Sequence, residues 1–321
     1  MLYPFVLEPI LAHKPWGGDR LAAYGKAVVA GDRIGESWEI ADLDLDADGT
    51  VPFGKSRITN GSMAGETLRG LMTEHGTELL GFTPPSTPFP LLIKLLDARE
   101  PLSVQVHPTA DYVAHHPDTH MKTESWYVIE AEPDAFIYKG FKPETTPADI
   151  TRTAGTSEIV GYLQEVPVQA GDVHHLPAGT VHALGAGVLV AEVQTPSDTT
   201  FRLYDWTAEH DRKDRRLQIP EALACLLYTS PAELARPEDG QAPLLETDHY
   251  WLREHRRNRG PWTNEKNDPS RRARILMVLS GAITVGEVAA EKGTTVLVPA
   301  SSPAEVHVSS TATVLEIGIV D

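Results

Sequence analysis

Glycine and proline punctuate this chain at short intervals, and most of what lies between them reads as short β-strands. The segments include "SWEIAD", "PLLIKLLD", "LSVQVH", "ESWYVIEA", "AFIYKGF", "VLVAEVQ" and "TFRLYDW", then "ARILMVLSG", "AITVGEV", "TTVLVPA" and "TATVLEIGI". Many short strands with frequent turns bury their apolar faces as a sandwich or barrel, the jelly roll included. The expected fold is therefore mainly β, with few and short helices. One helix is expected in "GETLRGLMTEHGTELLG", where Leu68, Leu71, Met72, Leu79 and Leu80 keep helical spacing and Gly81, Pro84 and Pro85 close it. "TADYVAHHP" suits a short helix, and "PEALACLL" opens on Pro220, a good first-turn residue.

The pattern breaks at "TSPAELARPEDGQAP", residues 229–243, which reads as a linker. A larger β domain over residues 1–228 and a smaller one over 244–321 follow as the expected organisation. The Gly171–Pro177 and Gly293–Pro299 segments have the same spacing, a weak sign that one β module is duplicated.

The formal net charge of −17 disfavours nucleic acid or an anionic membrane surface as partner. A small anion remains open to it, provided a few Lys and Arg converge in one pocket. Cys225 is the single cysteine; it makes no internal disulfide and reads as a buried thiol. No apolar stretch approaches the ~20 residues that span a bilayer. The start, "MLYPFVLEPILAHK", is broken by Pro4, Glu8 and Pro9 and does not read as a signal peptide. A cytoplasmic monomer or homodimer is expected.

Four stretches carry chemistry. In "LSVQVHPTADY", Gln105 and His107 share one strand face, with Val104 and Val106 on the other. An imidazole and a carboxamide oxygen two apart can lean toward one metal ion, or can lie on a solvated face. In "HMKTESWYVI", Glu124 offers an anionic oxygen, and Lys122 shares its parity. Lys122 suits the same cavity or the plain surface. In "AGDVHHLPAGTVHALGAG", two glycine turns flank a short strand and present His182 on the next; adjacent His174 and His175 must point to opposite faces. In "EVQTPSDTTFRLYDW", Arg202 sits among apolar residues and needs an anion, either Asp198 or Asp205 or a bound phosphate.

The Gly171–His182 frame resembles the second signature of the cupin superfamily, small β-barrels that hold a metal. The wider set, "HKPWGG", "GESWEI", "PLLIKLLDA", "LSVQVHP", "KTESWYVI", the cupin frame, "EVQ" and "SDTTFRLYDW", resembles class I mannose-6-phosphate isomerases in their short bacterial form. The resemblance implies two cupin-like jelly-roll modules and one zinc ion per chain. It places zinc ligands on His107, Glu124 and His182, with Gln105 as a fourth, the active-site arginine on Arg202 and a proton carrier on Lys122. The substrate implied is a sugar phosphate, isomerised through a cis-enediol. Lys94 is a second choice beside Arg202 for the phosphate, and Glu192 and a hydroxide on the metal rival Lys122 as base. His120 and Met121 depart from the family's lead-in, as do His174 and His175 from its usual aromatic or aliphatic residues. The C-terminal module shows only His307 near its frame and is expected to be structural and metal-free. A cupin oxygenase and a non-catalytic sugar-phosphate sensor are the rival readings.

Overall fold

The computed structural model describes residues 1–29, 31–44, 54–84, 88–212, 215–229, 243–262 and 272–321. Strands dominate them, arranged as two sandwiches. In the first, a six-stranded sheet runs in lateral order Ile10–Gly18, Ile34–Ile40, Leu92–Ala98, Val188–Gln194, Glu124–Ala131, Val173–Leu176. Its partner is a five-stranded sheet in the order Phe201–Tyr204, Val104–Val106, His182–Leu184, Phe136–Phe141, Leu163–Pro167. Between them Trp126, Val128 and Val190 pack with Ile137 and Leu184.

The second sandwich has a six-stranded sheet in the order Phe5–Val6, Thr295–Val298, Arg274–Ser280, Ala312–Ile319, Tyr250–Arg257, Leu245–Glu246. Opposite lies a four-stranded sheet, Gly260–Trp262, Val306–Val308, Ala282–Val285, Val288–Glu291. The two six-stranded sheets stand back to back. Leu95, Leu189 and Ala191 of one share a core with Ile275, Met277, Leu315 and Ile317 of the other. Each such fully buried leucine, isoleucine or methionine contributes about 1.5–3 kcal/mol. Phe5 and Val6 pair with Leu297 and Val296, so N-terminal chain completes the C-terminal sheet. Residues 230–242 of the expected linker lie outside the described residues.

The two sandwiches repeat one topology. Each Gly-to-Pro frame is a glycine with positive φ (93° at Gly171, 88° at Gly293), one residue, a four-residue strand and the proline. Val173–Leu176 borders Glu124–Ala131, then Val188–Gln194, then Leu92–Ala98. Thr295–Val298 borders Arg274–Ser280, then Ala312–Ile319, then Tyr250–Arg257, in the same relation. The four strands of the facing sheet in the second sandwich correspond to four of the five in the first, Phe201–Tyr204 having no counterpart among the described residues. The resemblance between the two frames in sequence thus marks a duplicated fold.

Three α-helices fall where the sequence places them. Leu68–Leu80 begins after Thr67, whose side chain accepts from Gly70 N, and stops at left-handed Gly81. Ala110–His115 is capped by Thr109, and Ile219–Cys225 carries Pro220 in its first turn. Pro147–Thr153 was not expected, although Thr146 and Asp149 form a capping box around Pro147. It and Ile219–Cys225 bring Ile150, Ala222 and Cys225 against Val104 and Val106, on the outer side of the five-stranded sheet. Among the described residues no helix is long and apolar enough to cross a membrane.

Candidate metal centre

His107 follows the Val104–Val106 strand directly, and Pro108 ends the ladder there. Its backbone carbonyl accepts from Gly179 N at 3.1 Å, which ties it to the turn before His182. Gly179 has φ 87°, and a Cβ there would lie 2.7 Å from Leu227 Cγ and 2.9 Å from the Cys225 carbonyl, so the turn admits only glycine. His182 opens its strand opposite Gln105, and Glu124 opens the strand that faces them from the other sheet. His107 Nε2 lies 3.1 Å from Glu124 Oε2, and His182 Nε2 lies 3.2 Å from Oε1. One ligand atom from each residue falls within 4.8 Å of the others. Ligands about 2.0–2.1 Å from a tetrahedral ion are roughly 3.3–3.4 Å apart, close to these spacings.

The protons are placed for metal binding. His107 Nδ1 donates to the Thr199 carbonyl at 3.1 Å, and His182 Nδ1 to the Thr180 carbonyl at 2.9 Å. A carbonyl only accepts, so each Nε2 presents its lone pair inward. Burial and the Lys122 charge push His107 down to about 3, despite the pull of Glu124, so its ring is neutral. Lone pair then faces carboxylate in a dry site, and Glu124 Oε1 finds no hydrogen-bond donor among the described residues. A cation completes this arrangement, and the three residues fit one. Burial works against the Glu124 charge, but the Lys122 ammonium at 2.9 Å holds its carboxyl well below the usual range. Gln105 turns its Nε2 toward His182 Nε2 at 3.2 Å, while Oε1 accepts from Ser103 Oγ; to present oxygen to an ion its amide must rotate.

A pocket of about 630 Å³, counted with its solvent-open mouth, adjoins this centre at Gln105 and Lys122. Five cationic side chains line it: Lys14, Lys94, Lys122, Arg202 and Arg215, against the carboxylates Glu36, Glu192 and Asp198. Lys122 is paired with Glu124 and Arg215 with Asp205, so the lining gathers cationic donors that suit an anion without carrying a net positive charge. Lateral pairing builds one wall. Trp38, Lys94, Glu192, Trp126 and His174 form a single row across the six-stranded sheet. Lys94 Nζ lies 3.1 Å from Glu192 Oε1 and 5.1 Å from the Trp38 ring centroid. Burial opposes its charge, but Glu192, Glu36 and Glu124 outweigh that and raise its pKa. Trp126 Nε1 donates to Glu192 Oε2 at 3.0 Å. Arg202 is buried opposite Gln105 in the neighbouring sheet.

Glu36 gives a pH test. Burial alone would raise its pKa, but Lys14, Lys94 and the Trp38 N–H bring it from 4.5 to about 2. The folded value lies below the unfolded one, so its stabilisation is complete above about pH 4.5 and is lost as pH falls toward 2. In chelator-treated protein the melting temperature of the wild type should drop more steeply across that window than that of Glu36→Gln. Equal slopes would show that this cluster does not stabilise the fold.

Residues 5–148 match the family model described as phosphomannose isomerase type I, catalytic domain. The probable mannose-6-phosphate isomerase GmuF of Bacillus subtilis is 36% identical over 241 residues, 74% of this chain and 73% of that one. The chain belongs to the type I phosphomannose isomerase family. The mannose-6-phosphate isomerase of Streptococcus mutans is 36% identical over 233 residues, 72% of this chain and 70% of its own. The crystal structure of the mannose 6-phosphate isomerase from Bacillus subtilis superposes with a TM-score of 0.82 at 26% identity, covering 98% of this chain and 99% of that one. The cupin-type architecture expected for the family therefore runs through both sandwiches.

The structure brings together all seven residues singled out from the sequence of this isomerase-family chain. His107, Glu124 and His182 form the cluster; Gln105 and Lys122 join it to the pocket, which Lys94 and Arg202 also line. His175 pairs with Ser125 and points away from the centre, whereas His174 shares the side of Trp126. Sequence reasoning passed over Lys14, Glu36 and Arg215. "GESWEI" held one signal, two glutamates in a strand too apolar to be exposed. Cys225 is buried as expected, and burial pushes its thiol up to about 11, out of reach of ready ionisation. In the C-terminal module, Arg274 stands where Glu124 stands in the first, and Val306 where His182 does, judged by strand starts and register. His307 is exposed on the following position.

Proposed function

We infer that this chain interconverts mannose 6-phosphate and fructose 6-phosphate, with one zinc ion on His107, Glu124 and His182. The observation that carries this is the cationic pocket opening onto a His–Glu–His donor set in a member of the isomerase family. Two imidazoles and a carboxylate suit zinc and leave positions open for substrate. When bound, the ion supplies Lewis-acid stabilisation of charge on the sugar oxygens. The same donor set suits an iron oxygenase, but such chemistry has no use for a pocket of five cations.

Aldose–ketose isomerisation moves a proton between C1 and C2 through a cis-enediol. Lys122 lines the pocket beside Glu124, and is placed to carry that proton. Glu192 is the weaker choice of base, since Trp126 and Lys94 occupy its two oxygens. Lys94 lies deep on the sheet wall and contributes positive potential for the phosphate. Arg202 opposite Gln105 supplies a planar donor fork to developing oxyanion or phosphate. A coupled assay for fructose 6-phosphate formed from mannose 6-phosphate tests the reading. Turnover lost on chelation and restored by zinc is expected; turnover unaffected by complete metal removal would overturn the metal role, and absence of product would overturn the activity.

A further inference from the structure

Glu124 is the first residue of its strand, so its carboxylate is only as well placed as residues 123–125. Thr123 is held from the front: its carbonyl accepts from Thr195 N at 3.1 Å, and its N donates to Thr195 Oγ1 at 3.2 Å. Ser125 is held from behind. Strand alternation turns it away from Glu124 and Trp126, toward the back-to-back packing of the two six-stranded sheets. There its Oγ lies 2.9 Å from His175 Nδ1 and 2.7 Å from Tyr250 Oη. Tyr250 belongs to the other module. It opens the Tyr250–Arg257 strand, is wholly buried and pairs with Ile319, and its N donates to Thr247 Oγ1 at 3.1 Å.

We propose that Tyr250 is a positioning residue for the metal centre: its hydroxyl, reaching across from the C-terminal module, anchors Ser125 and so fixes the Glu124 carboxylate against His107 and His182. The proposal rests on reading that cluster as a metal site. It gives the duplicated module, which has Arg274 and Val306 in place of ligands, a part in the chemistry of the first. Water cannot replace a partner in this dry site, so without the Tyr250 hydroxyl Ser125 keeps only His175 on its own sheet and loses its tie to the other module, leaving the strand end free to shift.

The same strand supplies a matched control. Tyr127 Oη also crosses to the second module, donating to Glu254. Its neighbours on the inner face, Trp126 and Val128, are core residues and not ligands of the cluster. If these hydroxyls only hold the modules together, Tyr127→Phe and Tyr250→Phe should act alike. If Tyr250 positions Glu124, they should differ.

The test compares both variants with the wild-type full chain in three readouts: zinc dissociation constant by competition with a chromophoric chelator, melting temperature without metal, and kcat and KM for mannose 6-phosphate. Tyr250→Phe is expected to weaken zinc binding by roughly tenfold, the size seen for residues that orient metal ligands. Its kcat should fall while KM stays within about twofold. Tyr127→Phe should lose comparable melting temperature with zinc affinity essentially unchanged. Should Tyr250→Phe fail to fold, Ser125→Ala removes the other half of the same contact and is expected to show the same zinc defect. Equal zinc affinity in both tyrosine variants overturns the proposal while leaving the metal site standing. A wild-type chain that binds no zinc overturns the metal reading itself.

Discussion

His182→Ala is expected to hold well under one zinc ion per chain and to lose isomerisation altogether. The imidazole supplies one of the three donors in the cluster, and no other described histidine or acidic residue lies within reach to replace it. Gln105 sits opposite, but as placed it offers nitrogen. The fold should survive the change. His182 begins a three-residue strand between two others, its neighbours Ala183 and Leu184 carry the core packing, and the substitution leaves backbone pairing intact. The variant therefore should match chelated wild type in melting temperature to about 1–3 kcal/mol of stability, the usual cost of one buried polar truncation. It should lack only the increment that zinc adds to the wild type by binding the folded state. Metal analysis, circular dichroism and the coupled assay on one preparation decide the matter. Full activity in a metal-free His182→Ala protein would refute the zinc hypothesis.

Arg202→Ala is expected to lower kcat by roughly 10² or more, with a smaller change in KM. Two roles compete for this side chain. A group that only grips the phosphate binds ground state and transition state alike, so its loss raises KM and spares kcat. A group that stabilises the enediolate strengthens its bond as charge develops, and removal of one such donor typically costs about 10²–10³ in kcat. The placement favours the second role. Arg202 lies opposite Gln105, which contacts His182, so the guanidinium approaches the pocket from the metal side. Lys94, on the opposite sheet wall, remains for the phosphate, whereas the Arg215 fork is taken by Asp205. Arg202→Lys keeps the charge without the planar fork and should recover part of the rate. If Arg202→Ala keeps kcat and only weakens binding, Arg202 is a phosphate clamp.

Parts of the candidate site were legible because they are local, whereas the full set of expected ligands was implied by the resemblance to the isomerase family. Gln105 and His107 share a face by strand periodicity alone, and the Gly171–His182 frame carries its turns in its glycines. Lys14 and Glu36 escaped notice for the opposite reason: nothing along the chain says that Lys94, some sixty to eighty residues away, lies near them. Pro147–Thr153 was missed although its capping box is written in Thr146 and Asp149, because about two helical turns have too few apolar positions to show a period.

By itself the sequence determined the β architecture and three of the helices, which depend on period-two alternation, turn chemistry and caps within a few residues, while the family and the expected ligand positions Gln105, His107, Glu124 and His182 came from the resemblance of whole motifs. Tertiary structure alone decided the rest. It aligned Trp38, Lys94, Glu192 and Trp126 in one row, which depends on a strand register shared across more than eighty residues. It made a cationic pocket within an acidic chain. It showed that the second module repeats the first with Arg274 and Val306 at the ligand positions, and it brought Tyr250 to the back of Ser125. Register is set by packing on both faces of a sheet at once, and packing joins residues that no local pattern connects.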